Sequence, residues 1–75
     1  MTTPKQLAAF IAQHQGKEIE EVQNENFFKD MDSLDRLDVE VAIETEFNFF
    51  FDAEEGVTSA DTIQSLTAKI NAKTH

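Results

Sequence analysis

Apolar residues recur with a helical period in three stretches of the chain and lose that period in the segments between them. In the first stretch Leu7, Phe10, Ile11 and His14 fall at i, i+3, i+4 and i+7, a single stripe on one helix. Thr3 supplies an N-cap, and Pro4 takes the first helical position, where its missing N–H costs nothing. Gly16 offers a left-handed stop after Gln15. The second stretch starts at Asp32-Ser33-Leu34, where the Asp32 carboxylate can accept N–H groups of the first turn, a contact worth about 1 kcal/mol. It runs to Phe47, with Asn48 as its stop. Leu34, Leu37, Val39, Val41, Ala42, Ile43 and Phe47 surround more of this helix than one core-facing stripe requires, so part of its surface is expected to meet something else. In the third stretch Ile63, Leu66 and Ile70 follow cap signals at Thr58-Ser59-Ala60-Asp61, and residues 71–75 are expected to fray.

The intervening segments are less regular. Residues 17–31 are mainly polar and acidic, with Ile19, Val22, Phe27 and Phe28 at intervals that suit neither helix nor strand. They predict a long ordered loop pinned to the core by those four side chains. Phe49-Phe50-Phe51 reads as an extended piece with Phe49 and Phe51 pointing in and Phe50 out. Asp52 to Gly56 has room for a single helical turn. The expectation is an all-α fold, a small three- to four-helix bundle with a long loop between its first two long helices. Residues 1–75 form one domain, with residues 1–2 frayed like the other end.

Composition narrows the partners. Six Lys and Arg stand against fifteen Asp and Glu, a formal charge of −9. Such a surface repels phosphate backbones and anionic headgroups, so no nucleic acid and no stable membrane insertion are expected, and basic protein surfaces are its complement. Seven Phe with regularly spaced Leu, Ile and Val argue for a folded core despite the charge. The longest apolar run, Leu7 to Ala12, is far below the ~20 residues that span a bilayer. A cytoplasmic monomer is expected. With no Cys, the chain has no disulfide, thiolate metal site or cysteine nucleophile of its own.

Enzyme signatures are missing from the sequence: no glycine-rich phosphate loop, no G-x-S-x-G, no H-E-x-x-H. The carboxylates fall mainly on faces expected to be exposed, where nothing raises a pKa for acid catalysis. Asp52, Glu54 and Glu55 lack the spacing of a calcium loop, and no metal site is expected. His14 reads as a core or half-buried side chain. Ser33 is the remaining candidate: a serine at a helix start, beside backbone N–H groups that favour an attached phosphate. A bare D-S-L tripeptide is also what an ordinary helix start looks like.

The register around Ser33 carries more information. Ile11 to Gly16, then Glu20-Glu21-Val22, Phe27, Asp30-Met31, Asp32-Ser33-Leu34-Asp35, Ala42-Ile43-Glu44 and Glu46-Phe47 occur in order and at close spacing. In this the chain resembles the acyl carrier proteins, the phosphopantetheine-dependent carrier family, over about fifty of its seventy-five positions. The resemblance implies that a phosphopantetheinyl transferase attaches 4'-phosphopantetheine from coenzyme A to Ser33, with Asp32 and Leu34 beside it. The chain would then be a non-catalytic carrier that holds an acyl group as a thioester for fatty-acid, specialised lipid or polyketide enzymes. Asp35, Asp38, Val41 and Glu44 would meet basic patches on those enzymes, with Glu40 and Glu46 nearby. Phe27, Phe28, Leu37, Ile43, Phe47, Phe49 and Ile63 would line the acyl pocket. An aminoacyl or peptidyl carrier, and an unmodified acidic adaptor with the carrier fold, are the alternatives.

The chain departs from the family pattern at four places. The D-L-G-x-D-S-L run is contracted to Asp30-Met31-Asp32-Ser33-Leu34, which implies a tighter loop before the serine. A second contraction lies between Phe51 and Val57. Arg36 and Thr45 dilute the acidic face of the second long helix, and Phe49 to Phe51 places three rings where the family alternates aliphatic and polar residues.

Overall fold

The computed structural model describes residues 1–74, which form a small all-α bundle. Helix α1 spans Pro4–Gln15, α2 Ile19–Val22, α3 Phe27–Asp30, α4 Ser33–Phe47 and α5 Ile63–Thr74. No strand occurs among the described residues, and no helix is long and apolar enough to cross a membrane.

The long helices begin and end where local chemistry dictates. Thr3 Oγ1 accepts the Gln6 N–H at 3.1 Å while Gln6 Oε1 accepts the Thr3 N–H at 3.0 Å, a reciprocal cap on α1. Gly16 closes that helix at φ 66°. Asp32 Oδ1 accepts the Asp35 N–H at 2.8 Å and starts α4, and Asn48 ends it at φ 57°, a left-handed conformation that Asn tolerates.

Helix α1 packs against α2, α4 and α5. Leu7, Ala8 and Ile11 of α1 meet Val39 and Ile43 of α4, Ile63, Leu66 and Ile70 of α5, and Val22 and Phe28 from the connection, all of them buried. Phe28 is the largest side chain that is fully enclosed.

The connection between α1 and α4 is not the loop that its irregular pattern predicts. It folds into the two single turns α2 and α3, because Val22 and Phe28 must reach the same core and a helical turn carries each there with its backbone paired. Of the four expected anchors, Val22 and Phe28 are fully buried, Phe27 is half-buried and Ile19 is 37% exposed. The turn expected at Asp52 to Gly56 is not helical. Two non-helical bends replace it, with Lys73 of α5 holding both the Asp52 and the Glu55 carboxylates. The Phe49 to Phe51 segment is as expected: Phe51 is buried, Phe49 half-buried and Phe50 82% exposed.

Thr2 and the last helix are joined to each other. Helix α5 continues through Asn71 to Thr74, and the Asn71 side chain exchanges two 2.9 Å hydrogen bonds with the Thr2 backbone. His75, also expected to fray, lies outside the described residues.

Candidate functional site

Helix α4 divides its apolar residues between two faces. Val39 and Ile43 point into the core, whereas Leu34, Leu37 and Val41 are 76%, 52% and 52% exposed. The exposed three fall at i, i+3 and i+7 and so form one outward stripe, the surplus apolar surface expected from the sequence. Ser33 begins this helix and is exposed, as are its neighbours Asp32 and Asp35.

Two open grooves flank the start of α4. One, of about 620 Å³, is polar and runs from Gln15 and Lys17 past Phe27 to Asp32 and Asp35. The other, of about 510 Å³, is bounded by Ser33, Leu34, Arg36, Leu37 and Glu40 on α4 and by Val57, Thr58 and Ser59 opposite. Ser33 therefore lines a groove whose apolar walls are Leu34, Leu37 and Val57. Residues 57–59 were not part of the sequence-based site. The only signal for the α4 side of the groove is spacing, since residues 33, 36, 37 and 40 share one helical face.

The carboxylates of α4 are not equivalent. Asp35 is exposed and caps nothing with its side chain. Asp38 lies with Oδ2 2.8 Å from His14 Nε2 and accepts from Gln15 Nε2 at 3.4 Å, which ties the end of α1 to the middle of α4. Glu44 Oε2 accepts the Phe51 N–H at 2.8 Å, and Glu40 Oε1 accepts the Val57 N–H at 2.9 Å. Glu40 and Glu44 thus turn along α4 toward the 49–57 segment and satisfy its backbone. Of the acids expected to face a partner, Asp35 stands free, Asp38 is shared with α1, and the Glu44 carboxylate is engaged inside the molecule.

Arg36 likewise does not act as a surface charge. Its guanidinium Nη1 donates to the Phe28 carbonyl oxygen at 2.9 Å and also to that of Met31. Phe28 belongs to α3 and Met31 follows it, in the contracted stretch before Ser33. The guanidinium gathers that short stretch onto α4. Thr45, the other departure on this helix, donates its hydroxyl to the Val41 carbonyl oxygen at 3.0 Å.

The residues expected to line an acyl pocket are divided between the core and the two grooves. Phe28, Ile43 and Ile63 are packed into the core. Phe27 stacks edge-on against Phe28 at 5.1 Å, Phe47 meets Phe10 at 5.9 Å, and Phe49 meets Phe51 at 4.8 Å. Leu37 is exposed on the groove beside Ser33, and half-buried Phe27 borders the polar groove on the other side. His14 is partly exposed and stacks on Phe10 at 6.0 Å.

Behind the groove, Asp61 is 4% exposed and accepts from the Thr58 N–H at 2.8 Å, the Ser65 hydroxyl at 2.7 Å and Lys69 Nζ at 2.9 Å. Burial pushes its carboxyl up, but the Ser65, Thr58 and Lys69 donors together outweigh burial and hold it below the usual carboxylate value.

Comparison of the chain with protein-family models, with curated proteins and with solved structures gives no match.

Proposed function

We propose that the chain is a carrier protein that holds an acyl group as a thioester on a 4'-phosphopantetheine arm attached to Ser33. The observation that carries this reading is the setting of Ser33: an exposed hydroxyl at the start of α4, on the rim of a groove walled by Leu34, Leu37 and Val57. An exposed serine is open to a transferase, and backbone N–H groups at a helix start favour the phosphate of a phosphodiester. Asp32 and Leu34 flank that point. The arm supplies the thiol that this cysteine-free chain lacks. The chain's own residues position cargo and partner and perform no catalysis.

Partner enzymes would approach the outward stripe of Leu34, Leu37 and Val41, with Asp35 beside it as the acid best placed to meet a basic patch. The stripe also suits an unmodified adaptor of the same fold, and an aminoacyl group could take the place of an acyl group on the arm. Intact-mass analysis after incubation with coenzyme A and a broad-specificity phosphopantetheinyl transferase distinguishes carrier from adaptor. The carrier reading requires a mass gain of one phosphopantetheine that Ser33→Ala abolishes. No gain, or a gain that survives the substitution, rejects it.

A further inference from the structure

Main chain and side chain of Arg36 both return to the residues that precede Ser33. The Arg36 N–H donates to the Asp32 carbonyl oxygen at 3.0 Å, while Nη1 donates to the Phe28 carbonyl oxygen at 2.9 Å and also to that of Met31. Asp32 is held a second time, because its Oδ1 accepts the Asp35 N–H at 2.8 Å. Ser33 thus lies between an entry segment, Met31-Asp32, and the two residues of the same helical turn that hold it. Side chains on a helix lean toward its N-terminus, so the Arg36 stem runs back along the turn that carries Ser33. The two residues are three apart and border one groove.

Arg36 does this because the junction is short. Helix α3 ends at Asp30 and α4 starts at Ser33, so Met31 and Asp32 alone join them. Both are extended, at φ −82°, ψ 144° and φ −77°, ψ 167°. Extended backbone makes no helical hydrogen bond of its own, and the Phe28 and Met31 carbonyls find a donor in the Arg36 side chain instead. One guanidinium nitrogen carries two N–H groups and can serve both oxygens. Across the groove, the Val57 N–H is held by Glu40 and the Thr58 N–H by Asp61, so that wall does not depend on Arg36.

Transfer of an arm to Ser33 requires its hydroxyl at one place and in one direction. In that step the Ser33 oxygen bonds to the phosphorus that bears the pantetheine of coenzyme A. The pyrophosphate link to that phosphorus breaks, adenosine bisphosphate leaves, and the hydroxyl proton passes to the transferase. We infer that Arg36 is a positioning residue for this transfer: by fastening the Phe28 and Met31 carbonyls to the first turn of α4 it holds Ser33 in the orientation that the transferase takes up. The inference rests on the carrier reading. Without the guanidinium the entry segment loosens, and apparent affinity for the enzyme falls with the fraction of chains that remain in order.

The test measures initial rates of arm transfer from coenzyme A by the broad-specificity transferase over a range of carrier concentrations. Arg36→Ala raises the KM for the carrier several-fold and leaves kcat unchanged, and Arg36→Lys recovers part of the loss. Removing a positive charge by itself would favour binding to a basic enzyme surface, so a rise in KM reads position rather than charge. Ile70→Val, which disturbs the core away from the junction, keeps the wild-type KM. In unloaded Arg36→Ala the amides of residues 35 and 36 exchange several-fold faster, while that of Leu66 verifies that the core persists. An unchanged or lowered KM in Arg36→Ala, an equal rise in Ile70→Val, or unaltered exchange at residues 35 and 36 overturns the inference. A wild-type chain that takes no arm rejects the carrier reading and this inference with it; a loaded wild type beside an Arg36→Ala variant of equal KM rejects the inference alone.

Discussion

Arg36 reaches back from the first turn of α4 to the Phe28 carbonyl oxygen at 2.9 Å, joining the helix that begins at Ser33 to the last turn of the connection before it. Phe28 is fully buried, so this bond connects the edge of the candidate site to the core. Arg36→Ala leaves the Phe28 and Met31 carbonyls without that donor and is expected to cost about 1.5–3 kcal/mol, the range for hydrogen bonds to a charged group. Arg36→Lys should recover part of the loss, since an ammonium can reach one carbonyl but lacks the planar fork. Urea unfolding midpoints of the two variants measure this, and equal midpoints for Ala and wild type would remove Arg36 from the structural account.

Gly56 and Glu40 are expected to be coupled. Gly56→Ala places a methyl group where the Glu40 carboxylate lies and imposes a left-handed conformation on alanine, at a cost of about 1–3 kcal/mol. Glu40→Ala clears the space but loses the Val57 hydrogen bond. The double variant should therefore be less destabilised than the sum of the two single ones, by at least about 0.5 kcal/mol in a double-mutant cycle. Strict additivity would mean that the loop relaxes away from Glu40 freely.

Asp61 gives the protein an acid limb. Its carboxyl is held below the ordinary value in the folded state, so its contribution is complete above about pH 4, the unfolded value. That contribution is lost as the pH falls through the lower folded-state value, because the unfolded chain then binds the proton more readily. Asp61→Asn, which removes the charge facing Lys69, should be clearly less stable than wild type at pH 6, and the difference should shrink below pH 4. Denaturant midpoints across that range read the effect; a difference that is independent of pH would assign it to shape rather than charge.

The three long helices were legible because their signals are local. Thr3 and Gln6, or Asp32 and Asp35, lie within one turn of each other, and those residue types favour such caps wherever a helix starts. The same holds for the alternation that buries Phe51 and exposes Phe50. The stretch between α1 and α4 was misread as loop because two isolated apolar contacts leave no periodic trace in sequence. Val22 and Phe28 become helical turns only once a core exists for them to enter.

The site divides in the same way. The sequence by itself placed Ser33 at an exposed helix start and put a surplus apolar stripe on the helix that follows. It also set the negative charge of the chain. Tertiary structure alone decided how that charge is used. Glu40 and Glu44 lie seventeen and seven residues from the N–H groups that they accept, and Arg36 eight from the Phe28 carbonyl. Bonds over such separations form only after the helices have packed, since nothing in the residue types says which backbone group will arrive beside them. Charges that read as one acidic face are therefore sorted by the fold, with Asp35 left to solvent and Glu40 bound to the Val57 N–H beside the groove that starts at Ser33.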